Sequence, residues 1–215
     1  MTVVDVWLVD AAVTAAEPAL LDAAERARHA ALGHSVDRHR FVVAHAAVRR
    51  VVAARLGVPP AEVCWTRGPN GKPLLVGGAL EVNLSHSGDL VLIAVAGDRP
   101  VGVDVQQVLP GLDVVAMAER FYPPAEAALV ASGGPGRFAE LWARKEAVVK
   151  AAGDRLTRGL SLPVAGPSPW SVAHDDGAYV VADLDAPDGF RAAVALAGAE
   201  PFEVRAHDPN VLTHR

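Results

Sequence analysis

Cysteine, aromatic residues and clusters of basic charge are all scarce in this sequence, and each scarcity removes a class of protein. A single cysteine, Cys64, among 215 residues rules out an intrachain disulfide and points to a reducing compartment, the cytoplasm. Aromatic residues make up only 5%, no run of Lys or Arg occurs, and the formal net charge is -5, so neither a basic groove nor a stacking platform for nucleic acid is expected. Long hydrophobic runs are missing too. The strongest, Leu90 to Ala96, falls far short of the roughly 20 residues that a membrane-spanning helix needs. Met1 to Asp10 lacks the basic start of a secretory leader. A soluble, cytoplasmic protein without a membrane or nucleic-acid partner is therefore expected.

What is present is ample core material, with 51% hydrophobic and 21% charged residues. That suffices for one large domain or two small ones. Val3 to Val9 reads as a β-branched strand. A helix is expected from Pro18 to Leu32, stopped by Gly33, and a second from Asp37, as its cap, to Leu56, closed by Gly57 and Pro59-Pro60. Val63 to Thr66 reads as a short strand that would pack Cys64 inside, with nothing nearby to activate the thiol. Arg67 to Pro73 is dense turn chemistry. Strands at Glu81–Ser85, Leu90–Ala96 and Val101–Gln106 suggest a meander.

Beyond Pro110 the pattern restarts. Helices are expected at Asp113–Phe121, Pro123–Ser132 and Phe138–Ala152, with Ser132 to Gly136 as a flexible loop between the last two. Strands follow at Ser171–Ala173, Ala178–Leu184, Phe190–Ala197 and Phe202–Ala206. Each half runs helices first and then an antiparallel sheet, which is an α+β pattern and not a βαβ alternation. The expectation is two similar α+β halves, residues 1–106 and 107–215, hinged within Asp98 to Leu112.

Several clusters could carry chemistry. Trp142, Glu146 and Lys150 are spaced by four, so on a helix they share one face. A hard oxygen ligand one turn from a cation suits a metal-bound pyrophosphate, although Glu–Lys pairs at this spacing are also ordinary helix stabilisers. In the strand Val101 to Gln106, Asp104 and Gln106 take one face and Val101, Val103 and Val105 the other. That is the pattern of a cleft-facing ligand, and equally of an amphipathic strand. Asn83-Leu84-Ser85-His86-Ser87 supplies hydroxyl and imidazole donors suited to phosphate oxygens. A Ser-His-Asp triad is not expected, because no Gly-x-Ser-x-Gly elbow is present and adjacent strand side chains point oppositely. Gly68 to Pro73 fails the P-loop pattern, since Pro73 follows Lys72 where Ser or Thr is required. Lys72 could still act as a point charge on an anion. Arg26, Arg28 and His29 on the first helix and Arg38, His39 and Arg40 on the second could form a local basic patch, or simply face solvent. His34, His39 and His45 lack zinc-ligand spacing.

Together, Gly71-Lys72-Pro73, Asn83-Leu84-Ser85-His86-Ser87, Gly102-Val103-Asp104-Val105 and Trp142-Ala143-Arg144-Lys145-Glu146-x-x-x-Lys150 resemble the motif series of the Sfp-type 4'-phosphopantetheinyl transferases, in order and spacing from Arg38 to about Leu162. The resemblance implies a monomer of two α+β halves with its active site at their interface. It implies transfer of the 4'-phosphopantetheine arm of coenzyme A to a serine of an acyl or peptidyl carrier protein, in fatty-acid, polyketide or non-ribosomal peptide synthesis, with Mg2+ as cofactor. Residue by residue it assigns Asp104 and Glu146 as magnesium ligands, Glu146 as the base, and Lys150 as catalytic and pyrophosphate-binding. Ser85, His86, Lys72, Arg40 and Arg28 would bind the coenzyme, while Lys145 and Trp142 orient the helix. Gln106 stands where many members carry Glu, so it would meet the metal directly or through water. Carrier docking would fall on Met117 to Leu129. A non-catalytic coenzyme A or nucleotide-binding module, and an interaction protein with an apolar surface, are the other readings.

Overall fold

The computed structural model describes residues 1–208. β1 (Thr2–Asp10) opens the chain. The next helix begins later than Pro18: Pro18–Leu20 forms only a 3-10 turn, and α1 (Ala23–Ala31) starts behind Asp22. Asp22 and Glu25 explain this boundary. The Asp22 carboxylate accepts from the Glu25 amide and the Glu25 carboxylate accepts from the Asp22 amide, both at 2.8 Å, a reciprocal capping box. α2 (Ser35–Leu56) begins two residues before Asp37 and ends on Gly57 at φ 69°, the left-handed conformation that glycine adopts without strain. β2 (Trp65–Arg67) and β3 (Pro73–Leu75) form a hairpin around the turn. Cys64 lies just before β2 and is exposed, because Val63 takes the buried position; the expected packing role is corrected. β4 (Glu81–Ser87), β5 (Leu90–Ala96) and β6 (Val101–Gln107) follow.

In the second half, α3 (Val114–Phe121) leads into α4 (Pro124–Ala152). The two helices expected on either side of Ser132–Gly136 are present as the two segments of α4, and the expected flexible loop shrinks to a break at Gly134, whose φ 62° and ψ −153° lie outside the helical region, followed by Pro135, which supplies no amide. A short α5 (Leu156–Gly159) precedes β7 (Trp170–His174), β8 (Gly177–Leu184), β9 (Phe190–Ala197) and β10 (Phe202–His207).

The sheets exchange strands. One has the order β10-β1-β5-β4 and the other β6-β9-β8-β7. β4 and β5 form the expected hairpin, but β6 departs from that meander and pairs antiparallel with β9. β10 returns from the second half to lie parallel to β1, so the first sheet is mixed and not wholly antiparallel. The two α+β halves stand, each with its helices on a four-stranded sheet, but strands cross between them.

Alternation along the strands explains the layering. On β5, Val91, Ile93 and Val95 face a core with α2, while Leu90, Leu92, Ala94 and Ala96 face the second sheet. On β6, Val101, Val103 and Val105 enter the same inter-sheet core, and α4 packs on the opposite face. The order is α2, first sheet, second sheet, α4. At roughly 1.5–3 kcal/mol for each fully buried Val or Leu, the middle layer binds the halves together more firmly than any surface ion pair could.

One seam between the sheets is polar. The amides of Val103, Val105 and Gln107 point away from β9, and they donate to Asn83 Oδ1 (3.0 Å), Ser85 Oγ (3.3 Å) and Ser87 Oγ (3.0 Å). Three side chains of β4 at period two thus stand in for the missing backbone partner of an edge strand.

Candidate active site

The site forms where that seam meets α4. β6 turns Asp104 toward the helix, and Gly102 lets the α4 backbone come close, since a Cβ there would lie 2.0 Å from the Ala147 carbonyl oxygen. The Lys150 ammonium reaches Asp104 Oδ1 at 2.5 Å and Ser85 Oγ at 3.0 Å. The Ser85 hydroxyl donates to Asp104 Oδ1 at 2.6 Å. The other carboxylate oxygen, Asp104 Oδ2, is buried without a hydrogen-bond partner among the described residues. Leaving such an acceptor unmet costs about 1–3 kcal/mol, a penalty that a bound partner would relieve.

Burial raises the Asp104 pKa, against the pull of Lys150 and Ser85. Burial also raises Glu146, one turn before Lys150 on the same stripe; Asp104's charge adds to the rise and Lys150 opposes it. Lys150 pairs directly with Asp104 while Glu146 feels only its charge, so two neighbouring carboxylates have one ammonium between them, an arrangement short of positive charge. The donor set fits a hard divalent ion. Asp104 Oδ2 and the Glu146 carboxylate could hold it, and the amide oxygen of Gln106, on the same face of β6, could meet it directly or through water. Among the described residues no group of three acidic, His or Cys side chains gathers as a ready-made metal cage. Further ligands would have to be neutral groups, substrate oxygens or water.

A cavity of about 650 Å³ opens beside this cluster, walled by α1, α2, β2 and β4. Arg28, Arg40, Ser85 and His86, all expected as coenzyme ligands, line it together. The Arg28 guanidinium lies 5.3 Å from the Phe41 ring centroid, and Arg40 Nε is held by Asp89 at 2.7 Å. His86 stands on the exposed face of β4, and its pKa is lowered by desolvation and then by the nearby charges of Lys150, His45 and Arg40. Arginine, imidazole and aromatic groups around one hollow suit an anionic ligand with a flat ring system.

One expected ligand is placed otherwise, and a second is already engaged. Lys72 does not line the cavity. Its ammonium donates to Val101 O (3.2 Å) and Ala151 O (3.0 Å) and lies 3.6 Å from Glu81, so it is spent between β6 and the end of α4. Its chain neighbour Pro73 takes the cavity-facing position. Ser85 lines the cavity, but its one proton is committed to Asp104. Lys145 is fully buried, bonded to Glu126 Oε2 at 2.5 Å and to the Leu162 carbonyl, which ties the two segments of α4 to each other and to the chain after it. Trp142 packs beside Phe138 at 5.7 Å between centroids. In the docking stretch, Phe121 and Leu129 are exposed, whereas Met117 packs on the core and Tyr122 stacks on Phe138.

Sequence reasoning missed Phe41, His45 and Trp65 in the cavity wall, and the network behind it. There the Glu25 carboxylate accepts from His45 Nδ1 (3.0 Å) and Arg49 Nε (2.8 Å), and the fully buried Arg49 also bonds Asp22 Oδ2 (2.6 Å). The Asp22-x-x-Glu25 spacing was the available signal for that corner.

Fold and site define an enzyme-like cleft in which a cavity bearing Arg28, Arg40 and His86 is joined through Ser85 to the Asp104–Lys150 pair at the junction of two α+β halves. The model of the 4'-phosphopantetheinyl transferase superfamily matches residues 100–192, and that of the 4'-phosphopantetheinyl transferase N-terminal region matches residues 7–98. The 4'-phosphopantetheinyl transferase HetI of Nostoc is 32% identical over 75% of this chain and 72% of its own length. The transferases psf-1 of Bacillus pumilus (34% identical) and ffp of Bacillus subtilis (31%) match 59% and 67% of this chain, and 55% and 62% of their own lengths. The chain thus spans less than two thirds of two of these relatives. This chain belongs to the 4'-phosphopantetheinyl transferase superfamily.

Proposed function

We propose that this chain transfers the 4'-phosphopantetheine arm of coenzyme A to a serine of an acyl or peptidyl carrier protein, with Mg2+ as cofactor. The observation that carries the reading is the Asp104–Lys150–Glu146 cluster at the edge of a cavity lined by Arg28, Arg40 and His86. The family supports the same reaction: HetI, psf-1 and ffp are named as 4'-phosphopantetheinyl transferases.

In the proposed reaction the carrier serine oxygen forms a bond to the β-phosphorus of coenzyme A. The bond from that phosphorus to the bridging oxygen breaks, and its electron pair leaves with adenosine 3',5'-bisphosphate. Glu146, half-buried and without a hydrogen-bond partner among the described residues, accepts the serine proton directly or through a water. Lys150 balances the charge that shifts toward the leaving group, and Arg28, Arg40 and His86 hold the phosphates of the coenzyme. A bound Mg2+, held by Asp104 and Glu146 with Gln106 beside them, would neutralise the diphosphate and orient it. The protein would act as a cytoplasmic monomer in polyketide, non-ribosomal peptide or fatty-acid synthesis.

The test is a carrier-modification assay. An apo carrier protein incubated with the enzyme, coenzyme A and Mg2+ should gain the mass of one phosphopantetheine arm, and chelation should stop the gain. No gain across acyl and peptidyl carriers, with coenzyme A still bound, would make this a non-catalytic binding module.

A further inference from the structure

The turn between β2 and β3 has no part in that chemistry, yet two of its polar side chains leave the first half and close on the end of α4. A helix ends with carbonyls that have no partner inside it. The Gly153 C-cap, at φ 67°, returns the Gly153 and Asp154 amides to Lys150 O (3.3 Å) and Val149 O (3.0 Å). Two further carbonyls are met from the other half: Ala151 O accepts from Lys72 Nζ, and Gly153 O accepts from Asn70 Nδ2, each at 3.0 Å. Lys72 Nζ also donates to Val101 O at 3.2 Å, so one ammonium joins α4 to β6. The Lys72 side chain is 10% exposed, with Glu81 as counter-charge at 3.6 Å. Its stem passes over Gly153, where an added Cβ would lie 3.4 Å from Lys72 Cδ.

Both ends of this bridge adjoin the reacting groups. Ala151 follows Lys150, and Val101 stands three residues before Asp104 on the same strand. We propose that Lys72 and Asn70 are positioning residues, which cap α4 from the opposite half and hold Lys150 and Glu146 against Asp104 without touching the nucleotide. Charge-assisted bonds to carbonyl oxygens are among the stronger hydrogen bonds, and a cation at a helix C-terminus is favoured by the helix dipole as well. The role in catalysis rests on the transferase reading above; the capping itself does not.

Lys72→Met keeps the stem and removes the donor, and Asn70→Ala is a milder companion that retains the buried cation. Three readouts separate capping from nucleotide contact: amide hydrogen exchange across residues 148–153, calorimetric affinity for coenzyme A with chelator present, and steady-state kinetics with coenzyme A and its 3'-dephospho form. With Lys72→Met, exchange across 148–153 should quicken and kcat should fall about tenfold or more, since a displacement near 1 Å costs up to ~100-fold. Metal-free affinity for coenzyme A and the preference for the 3'-phosphate should stay within about twofold, well under the 1.4 kcal/mol that a tenfold change represents. Asn70→Ala should move the same readouts in the same direction by less. Unchanged exchange overturns the proposal, whatever the kinetics. So does quickened exchange with kcat intact, or a lost preference for the 3'-phosphate, which would make Lys72 a nucleotide ligand. A wild-type protein that modifies no carrier would sink the transferase reading, while the exchange comparison would still decide the cap.

Discussion

Gly102 and Ala147 meet backbone to backbone: a Cβ on Gly102 would come within 2.0 Å of the Ala147 carbonyl oxygen and 2.3 Å of the Ala151 amide nitrogen. Neither atom belongs to a side chain that could swing away. Gly102→Ala must therefore push α4 off β6 and carry Glu146 and Lys150 with it. We expect carrier modification to fall roughly 100-fold and stability to drop by about 1–3 kcal/mol, read by mass spectrometry and chemical denaturation. Wild-type rates from the alanine variant would mean that α4 can occupy more than one position.

The carboxylates should separate by role. Glu146→Gln keeps size and removes the proton acceptor, so transfer should fall by about 10²–10⁴ with thermal stability nearly unchanged. Gln106→Glu adds the carboxylate that this chain lacks next to Asp104; activity should persist, with the optimum among Mg2+ and Mn2+ shifted. Complete inactivity of the glutamate variant would show that the neutral amide is required.

Lys145 tests structure in place of chemistry. It is fully buried against Glu126, which is itself 2% exposed and accepts the Val164 and Ala165 amides. Lys145→Met strands that carboxylate and should cost about 3–5 kcal/mol. The double variant Lys145→Met/Glu126→Gln should recover part of the loss, measured as denaturation midpoints at constant slope.

Acid sensitivity should trace to Glu25. Burial pushes its carboxyl up, but bonds from His45, the Asp22 amide and Arg49 outweigh that and hold it at about 2, against an ordinary value of 4.5. A carboxylate held below its unfolded value stabilises the fold above pH 4.5, and the contribution drains away as the pH falls toward 2. Glu25→Gln should therefore cost on the order of 2–3 kcal/mol at pH 7, and the gap to wild type should narrow by roughly half near pH 3. A gap that stays constant with pH would exclude this origin.

The candidate cluster was only partly legible. The periods of strand and helix set Asp104 opposite Val101, Val103 and Val105, and Glu146 one turn before Lys150, but an amphipathic strand and an ordinary helix pair look the same; the motif resemblance singled these residues out, and the structure brings Asp104 and Lys150 together. Lys72 was not legible. A lysine in a turn reads as a free cation until its stem is found lying over Gly153, a residue 81 positions later in the chain. The path of β6 was hidden for the same reason, since a strand of valines can join either sheet and only the tertiary partners decide. The break in α4 was legible from Gly134-Pro135, which is punctuation in most contexts, but its shortness was not, since the two helical segments meet directly at Gly134.

The exchange of β6 and β10 between the sheets bears on how the gene could be cut. A fragment ending at residue 106 would carry off the leading strand of the second sheet and lack the outermost strand of the first. Neither piece would be an autonomous module. Split reporters built on this protein would have to recombine through strand complementation, and a fusion partner inserted at the midpoint would sever the hinge that passes one strand across.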